Sequence, residues 1–209
     1  PLVCFKVSDS IVQADVLGDG AAEVGARIEA LWAPFAFGDE HDTLPGVVGR
    51  CLADRHSDVS VSESCTGGLL GGALTGVSGS SDFFRGGFLT YSNQLKSSLL
   101  GVPETLLETV GAVSREVALL MALETARRLG TTYALSTTGI AGPGGGSADK
   151  PVGTVWIGLC DTSGAQPVVF ARCFRFSGDR AQVRDRTVKA ALQMLRHRIL
   201  EVETSLLWE

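Results

Sequence analysis

The chain has 209 residues, 44% of them hydrophobic and 20% charged, with a formal net charge of -5. That is enough to bury a full core, as one large domain or a medium domain with a small appendage, and the acidic balance with scattered Lys and Arg argues against nucleic-acid binding. No run approaches the ~20 apolar residues of a membrane span, and five cysteines without a Cys-x-x-Cys pair argue against a disulfide framework or a zinc site.

In chain order, residues 2–7 and 11–17 alternate apolar and polar positions around Ser8-Asp9-Ser10, which predicts a hairpin, and a helix is predicted from about Ala21 to Trp32. The N-terminus lacks the basic-then-apolar order of a signal peptide, so a reducing cytoplasm is the expected location. Pro1 in first place is consistent with a piece of a longer chain. Residues 33–42 carry Pro34, Gly38 and the cluster Gly38-Asp39-Glu40-His41-Asp42, and read as a linker with a solvated acidic loop. No metal and no cofactor is expected.

From Thr43 onward, helix and strand patterns alternate: helix 43–55, strand 58–63, helix 67–76, strand 86–92, a Ser/Asn-rich segment with Lys96, and a turn at Gly101-Val102-Pro103. Helix 114–129, strand 132–138, strands 152–160 and 167–176, and a closing helix 180–202 follow. This alternation predicts an α/β fold, a three-layer α/β/α sandwich. The short connection Asp161-Thr162-Ser163-Gly164 makes the sheet mixed, although mostly parallel. Residues 1–38 are expected to be a small N-terminal α/β appendage with its linker, and 39–209 the main domain.

Three predicted strand ends carry polar or glycine-rich sequence: Ser64-Cys65-Thr66-Gly67-Gly68, Tyr91-Ser92-Asn93-Gln94-Leu95-Lys96, and Gly139 to Gly146. In open α/β sheets, ligands bind in the crevice outside strand ends. A helix beginning near Thr66 would aim its unpaired N–H groups at the Ser64 hydroxyl and could hold a developing oxyanion. The same turn also reads as an ordinary connection with Ser64 or Thr66 as an N-cap.

A serine nucleophile needs a base. His41, His56 and His197 all lie outside these strand ends, so the available base is a lysine whose pKa is lowered by its surroundings, and Lys96 is the best placed. Tyr91 could orient or relay the proton. The plainer alternatives are a half-buried strand tyrosine and a solvated helix lysine. Cys65 is the rival nucleophile, although adjacent strand residues face opposite ways and a small buried cysteine is the simpler reading. The segment Thr137 to Gly146 could cradle a phosphate through successive glycine N–H groups, or be a flexible surface loop.

Taken together, Ser62-Glu63-Ser64-Cys65-Thr66-Gly67-Gly68, Gly79-Ser80-Ser81, Gly87-Phe88-Leu89-Thr90-Tyr91-Ser92-Asn93, Gly111-Ala112-Val113-Ser114 and Gly139-Ile140-Ala141-Gly142-Pro143-Gly144-Gly145 closely resemble the CinA C-terminal domain family. Lys150-Pro151-Val152-Gly153-Thr154-Val155-Trp156 and Phe176-Ser177-Gly178-Asp179-Arg180 extend the likeness, which runs from about Thr43 to Leu200. The resemblance implies hydrolysis of the carboxamide of nicotinamide mononucleotide to nicotinic acid mononucleotide and ammonia. It further implies Ser64 as nucleophile, Lys96 as base and Tyr91 as assistant.

Thr66, Gly67, Gly68, Asn93, Thr138, Gly139, Ala141, Gly142 and Gly144 are the expected substrate-binding residues. A homo-oligomer with a small-molecule substrate, and neither nucleic acid nor membrane, is the expected setting. Residues 1–38 resemble the end of the small middle domain that precedes this module in longer CinA proteins. The alternative function is a non-catalytic module acting through protein contacts in competence or recombination.

Overall fold

The computed structural model describes residues 1–8 and 11–202. A separate antiparallel pair, β1 (Leu2–Ser8) and β2 (Ile11–Leu17), precedes α1 (Ala21–Trp32), and the rings of Phe5 and Trp32 meet at 6.0 Å. Asp9 and Ser10 of the expected turn lie outside the described residues. The following segment is bound by the last helix of the fold: Arg196 donates to the carbonyls of Pro34 at 2.9 Å and Ala36 at 2.7 Å.

The remaining elements are α2 (Leu44–Asp54), β3 (Val59–Glu63), α3 (Leu69–Thr75), β4 (Phe84–Leu89), α4 (Asn93–Leu100), α5 (Glu104–Thr109), α6 (Arg115–Leu129), β5 (Tyr133–Gly139), β6 (Thr154–Asp161), β7 (Val168–Arg175) and α7 (Arg180–Ile199). They build the expected α/β/α sandwich around a five-stranded sheet of order β4-β3-β5-β6-β7. β3 pairs in parallel with both β4 and β5, whereas β6 runs antiparallel to β5 and β7. Four strands therefore share one direction and β6 alone is reversed.

The two sheet faces are packed differently, and strand alternation decides which residue meets which layer. Val59, Val61, Leu135, Val155, Ile157 and Leu159 join the large core with α2, α3 and α7. The opposite face carries small residues at the intervening positions, and α6 lies close against it. Ser62 donates to the Met121 carbonyl and Ser136 to the Ala118 carbonyl at 2.6 Å, so these buried hydroxyls are paired. A Cβ on Gly158 would overlap that same Ala118 carbonyl, which is why β6 needs glycine there.

Helix starts follow local chemistry. Thr43 caps α2, Ser114 caps α6, and Asp179 forms a capping box with Gln182 at the start of α7. Two helices, α4 and α5, occupy stretches expected to be irregular. α4 escapes the usual apolar pattern because one of its two buried positions is Lys96, with Leu100 the other, so the inward stripe contains a charge-bearing residue. β4 ends at Leu89, earlier than expected, because the chain turns away after the Thr90 N–H has met the Glu63 carbonyl, and Ser92 caps α4. The closing helix ends at Ile199, short of the expected 202.

Candidate active site

The C-terminal ends of the adjacent strands β4, β3 and β5 bring the three singled-out segments together. Ser64 follows β3, and its N–H continues the ladder to the Thr137 carbonyl at 2.9 Å. Thr90 follows β4 and donates its N–H to the Glu63 carbonyl, also at 2.9 Å. The chain then turns into α4, which sends Lys96 back beneath the strand ends. The lysine side chain is 1% exposed, and its Nζ lies 3.1 Å from Ser64 Oγ, 2.8 Å from the Thr90 carbonyl oxygen and 3.3 Å from that of Tyr91.

Burial without an acidic partner disfavours the ammonium, and the Lys96 pKa falls to about 8. Cys65 has the opposite fate. It packs in the large core, where burial pushes its thiol up to about 11, so it is protonated and inert near neutral pH.

Tyr91 is 61% exposed, and its phenol accepts from Arg180 Nη2 at 3.3 Å, while Lys96 meets only its main-chain carbonyl. A proton relay through the phenol therefore has no direct hydrogen bond to Lys96 or Ser64 among the described residues. Arg180 also donates to the Gly142 carbonyl at 3.0 Å, which places a guanidinium over the rim. The cleft, half open to solvent, measures about 240 Å³ and is lined by Ser64, Cys65, Lys96, Tyr91, Thr138 and Arg180 among others.

A family model, the CinA C-terminal domain, matches residues 41–199. The chain belongs to the CinA C-terminal domain family. A CinA-like protein of Trichormus variabilis is 49% identical over 96% of this chain, and another, of Rippkaea orientalis, is 48% identical over 78%. The chain spans 50% and 39% of the lengths of those two relatives. Among solved structures, competence/damage inducible protein CihA from Agrobacterium tumefaciens is 42% identical with a TM-score of 0.69, covering 74% of this chain and 95% of that one. Competence damage-inducible protein A from Klebsiella pneumoniae is 29% identical with a TM-score of 0.72, covering 77% and 97%.

Within this CinA domain, Asn93, Thr138, Gly139 and Ala141 of the expected substrate-binding set line the cleft, as do Ala112, Val113 and Arg180, which sequence reasoning left out of the site. The signal for Arg180 was present, as the last residue of Phe176-Ser177-Gly178-Asp179-Arg180, but only folding carries the start of α7 to the end of β5. Thr66, Gly67, Gly68, Gly142 and Gly144 are not among the residues lining the cleft. Thr66 is fully buried, its hydroxyl 2.7 Å from that of Thr137. Gly142 and Gly139 answer to steric demand: a Cβ would collide with Val152 at the first and Val155 at the second.

The turn after Ser64 also departs from expectation. Neither Ser64 nor Thr66 caps α3; Gly68, with φ of 95°, occupies the cap position, where a Cβ would be strained. The capping acceptor is Glu63, whose carboxylate receives the N–H groups of Gly68 at 2.9 Å, Leu70 at 3.1 Å and Gly71 at 2.8 Å. Of the N–H groups expected to face an oxyanion, those around Thr66 to Gly68, that of Gly68 points at Glu63 instead. On the other side of the turn, Arg184 donates to the carbonyls of Cys65 at 3.1 Å and Thr66 at 2.6 Å.

A larger cleft of about 940 Å³ opens at the other end of the sheet, between Tyr133 at the start of β5, Asp161 at the end of β6, and Arg198. The Asp161 carboxylate there is already held by Arg198 Nε at 2.6 Å and by the Ser163 hydroxyl at 2.6 Å. No group of three or more metal-ligating side chains gathers among the described residues, and no helix among them is long and apolar enough to cross a membrane.

Proposed function

We propose that residues 39–209 form an amidohydrolase domain that converts nicotinamide mononucleotide to nicotinic acid mononucleotide and ammonia, with Ser64 as nucleophile and Lys96 as general base. The observation that carries this reading is the 3.1 Å contact between Ser64 Oγ and a buried Lys96 amine with its pKa lowered to about 8. A buried lysine with no carboxylate partner costs stability, and a module working only through its surface gains nothing from it. A serine-activating base gains a usable lone pair.

In its neutral form the amine has two hydrogens, which suit the Thr90 and Tyr91 carbonyls, and one lone pair left for the Ser64 O–H. Lys96 takes that proton as Ser64 Oγ bonds to the carboxamide carbon. The proton then passes to the departing nitrogen, the C–N bond breaks, and ammonia leaves an ester on Ser64. Water attacks the ester through the same base, releasing the acid and restoring the serine hydroxyl. Arg180 at the rim is assigned to the nucleotide phosphate, which holds the amide over Ser64. Tyr91, through its bond to Arg180, shapes that rim. The cytoplasm is the proposed location, and a homo-oligomer the proposed assembly.

Incubation of the pure protein with nicotinamide mononucleotide should release equal amounts of ammonia and nicotinic acid mononucleotide. The Ser64→Ala variant should still bind the mononucleotide but release neither product. Near-normal turnover by that variant, or none by the wild type, overturns the assignment.

A further inference from the structure

We infer that Glu63 is the positioning residue of the Ser64–Lys96 pair, an inference that rests on reading Ser64 as the nucleophile. Glu63 precedes Ser64 directly and is 2% exposed. No lysine or arginine donates to its carboxylate among the described hydrogen bonds; the partners are three main-chain N–H groups of the turn that follows Ser64. A buried carboxylate is expensive to desolvate, and three charge-assisted hydrogen bonds offset that cost only while the turn keeps its shape.

The main chain of Glu63 ties down the other half of the pair. Its carbonyl accepts from Thr90 N–H, and the Thr90 carbonyl in turn accepts from Lys96 Nζ at 2.8 Å. One residue thus joins the nucleophile's turn to the strand end that holds the base. Arg184 closes the turn from the opposite side through the carbonyls of Cys65 and Thr66. Ser64 Oγ is consequently held by a frame in which each polar main-chain group named here has a partner, and general-base transfer is sensitive to such placement on a sub-ångström scale.

This arrangement also changes where the oxyanion can be stabilised. The N–H groups of Gly68, Leu70 and Gly71 are committed to Glu63, so their function is to hold the turn, and the carbonyl oxygen of a bound amide must find its donors outside that set.

Glu63→Gln tests the inference, since it preserves size while placing an amide donor against one of the turn's N–H donors. Two readouts are taken on folded protein: steady-state hydrolysis of nicotinamide mononucleotide, and the rate at which a fluorophosphonate labels Ser64, located by peptide mass spectrometry. Expected are a ten- to hundredfold fall in kcat with KM within about twofold of wild type, and a parallel fall in labelling. A residue important only for folding would lower the amount of active protein without slowing labelling of the folded fraction.

Gly71→Ala supplies the second variant, because its Cβ would sit 3.3 Å from Glu63 Oε1 and press on the carboxylate without removing it. A smaller fall in kcat and labelling, about two- to fivefold, is expected there, and this variant decides the matter if Glu63→Gln does not fold. Labelling at the wild-type rate in the folded variant overturns the inference while leaving Ser64 as nucleophile. Wild-type labelling at Ser64 without mononucleotide turnover overturns the substrate assignment and leaves the Glu63 comparison intact. Absence of wild-type labelling and turnover overturns both.

Discussion

Lys96 Nζ reaches Ser64 Oγ at 3.1 Å across 32 residues of sequence, from a helix whose other buried side chain is Leu100. The lysine enters the interior by its aliphatic stem, and its amine meets two carbonyl oxygens and the serine hydroxyl at the far end. Its pKa is lowered by desolvation and by no other favourable charge arrangement.

The first consequence is a rate that rises with pH. Only the free amine accepts the serine proton, and with a pKa of about 8 it forms a minority at pH 7 and the majority at pH 9. The expected kcat/KM climbs about tenfold per pH unit below the midpoint and levels above it. A pH–rate profile from 6 to 10 checks this, and a flat profile through pH 8 rules out Lys96 as the base in the free enzyme.

Replacing Lys96 by Met should separate activity from stability. Turnover is expected to fall by about 10²–10⁴-fold, the usual worth of a general base. Stability near pH 7 should rise, by about 1–3 kcal/mol, because the depressed pKa means the folded state resists the charge that the unfolded chain carries freely. In the wild type, the unfolded state binds the extra proton between about pH 8 and the ordinary lysine value of 10.5, so stability from this group grows with pH across that window. Denaturant midpoints of both proteins at pH 7 and pH 10 check the sign: the gap should narrow at the higher pH.

Arg180 is expected to govern binding more than chemistry. Its guanidinium lies at the cleft rim, bonded to Tyr91 Oη and the Gly142 carbonyl, and does not contact Ser64 or Lys96 among the described hydrogen bonds. Arg180→Ala should raise KM for the mononucleotide by ten- to hundredfold, equivalent to about 1.4–3 kcal/mol, with kcat reduced less. The riboside, which lacks the phosphate, should show little change between wild type and variant. An equal loss on both substrates would assign Arg180 a role in shaping the cleft alone.

The close seat of α6 on the sheet gives a purely structural test. Gly158→Ala would drive a methyl into the Ala118 carbonyl and the Ser136 hydroxyl, whose hydrogen bond joins the two layers. A loss of about 1–3 kcal/mol is expected from overpacking, read as a lower denaturant midpoint. An unchanged midpoint would show that α6 can move away from the sheet freely.

Much of the fold was legible in local pattern, and the failures are instructive. Alternation predicts the strands, and the predicted start of helix 114–129 coincides with the cap residue Ser114. α4 was missed because its inward face bears Lys96, which a reading by hydrophobic period counts as solvent-facing. The turn after Ser64 lies where the sequence predicts it, but the Gly68 N–H, expected among the oxyanion donors, is bound to Glu63. Glu63 lies in a strand buried on both faces, and its carboxylate's partners among the described hydrogen bonds are the turn's N–H groups, which hydrophobic alternation does not reveal.

The sequence by itself determined the order of the strands and of the longer helices, the glycine turns and the family to which the chain belongs, because these depend on neighbours a few positions apart or on motif order. Tertiary structure alone decided that β3, β4 and β5 lie side by side and parallel, so that three strand ends open on one cleft. It also decided that Lys96 is buried, that Cys65 faces the core, and that Arg180 overhangs the rim. Those outcomes depend on burial and on distances between residues far apart in the chain, which local periodicity does not encode.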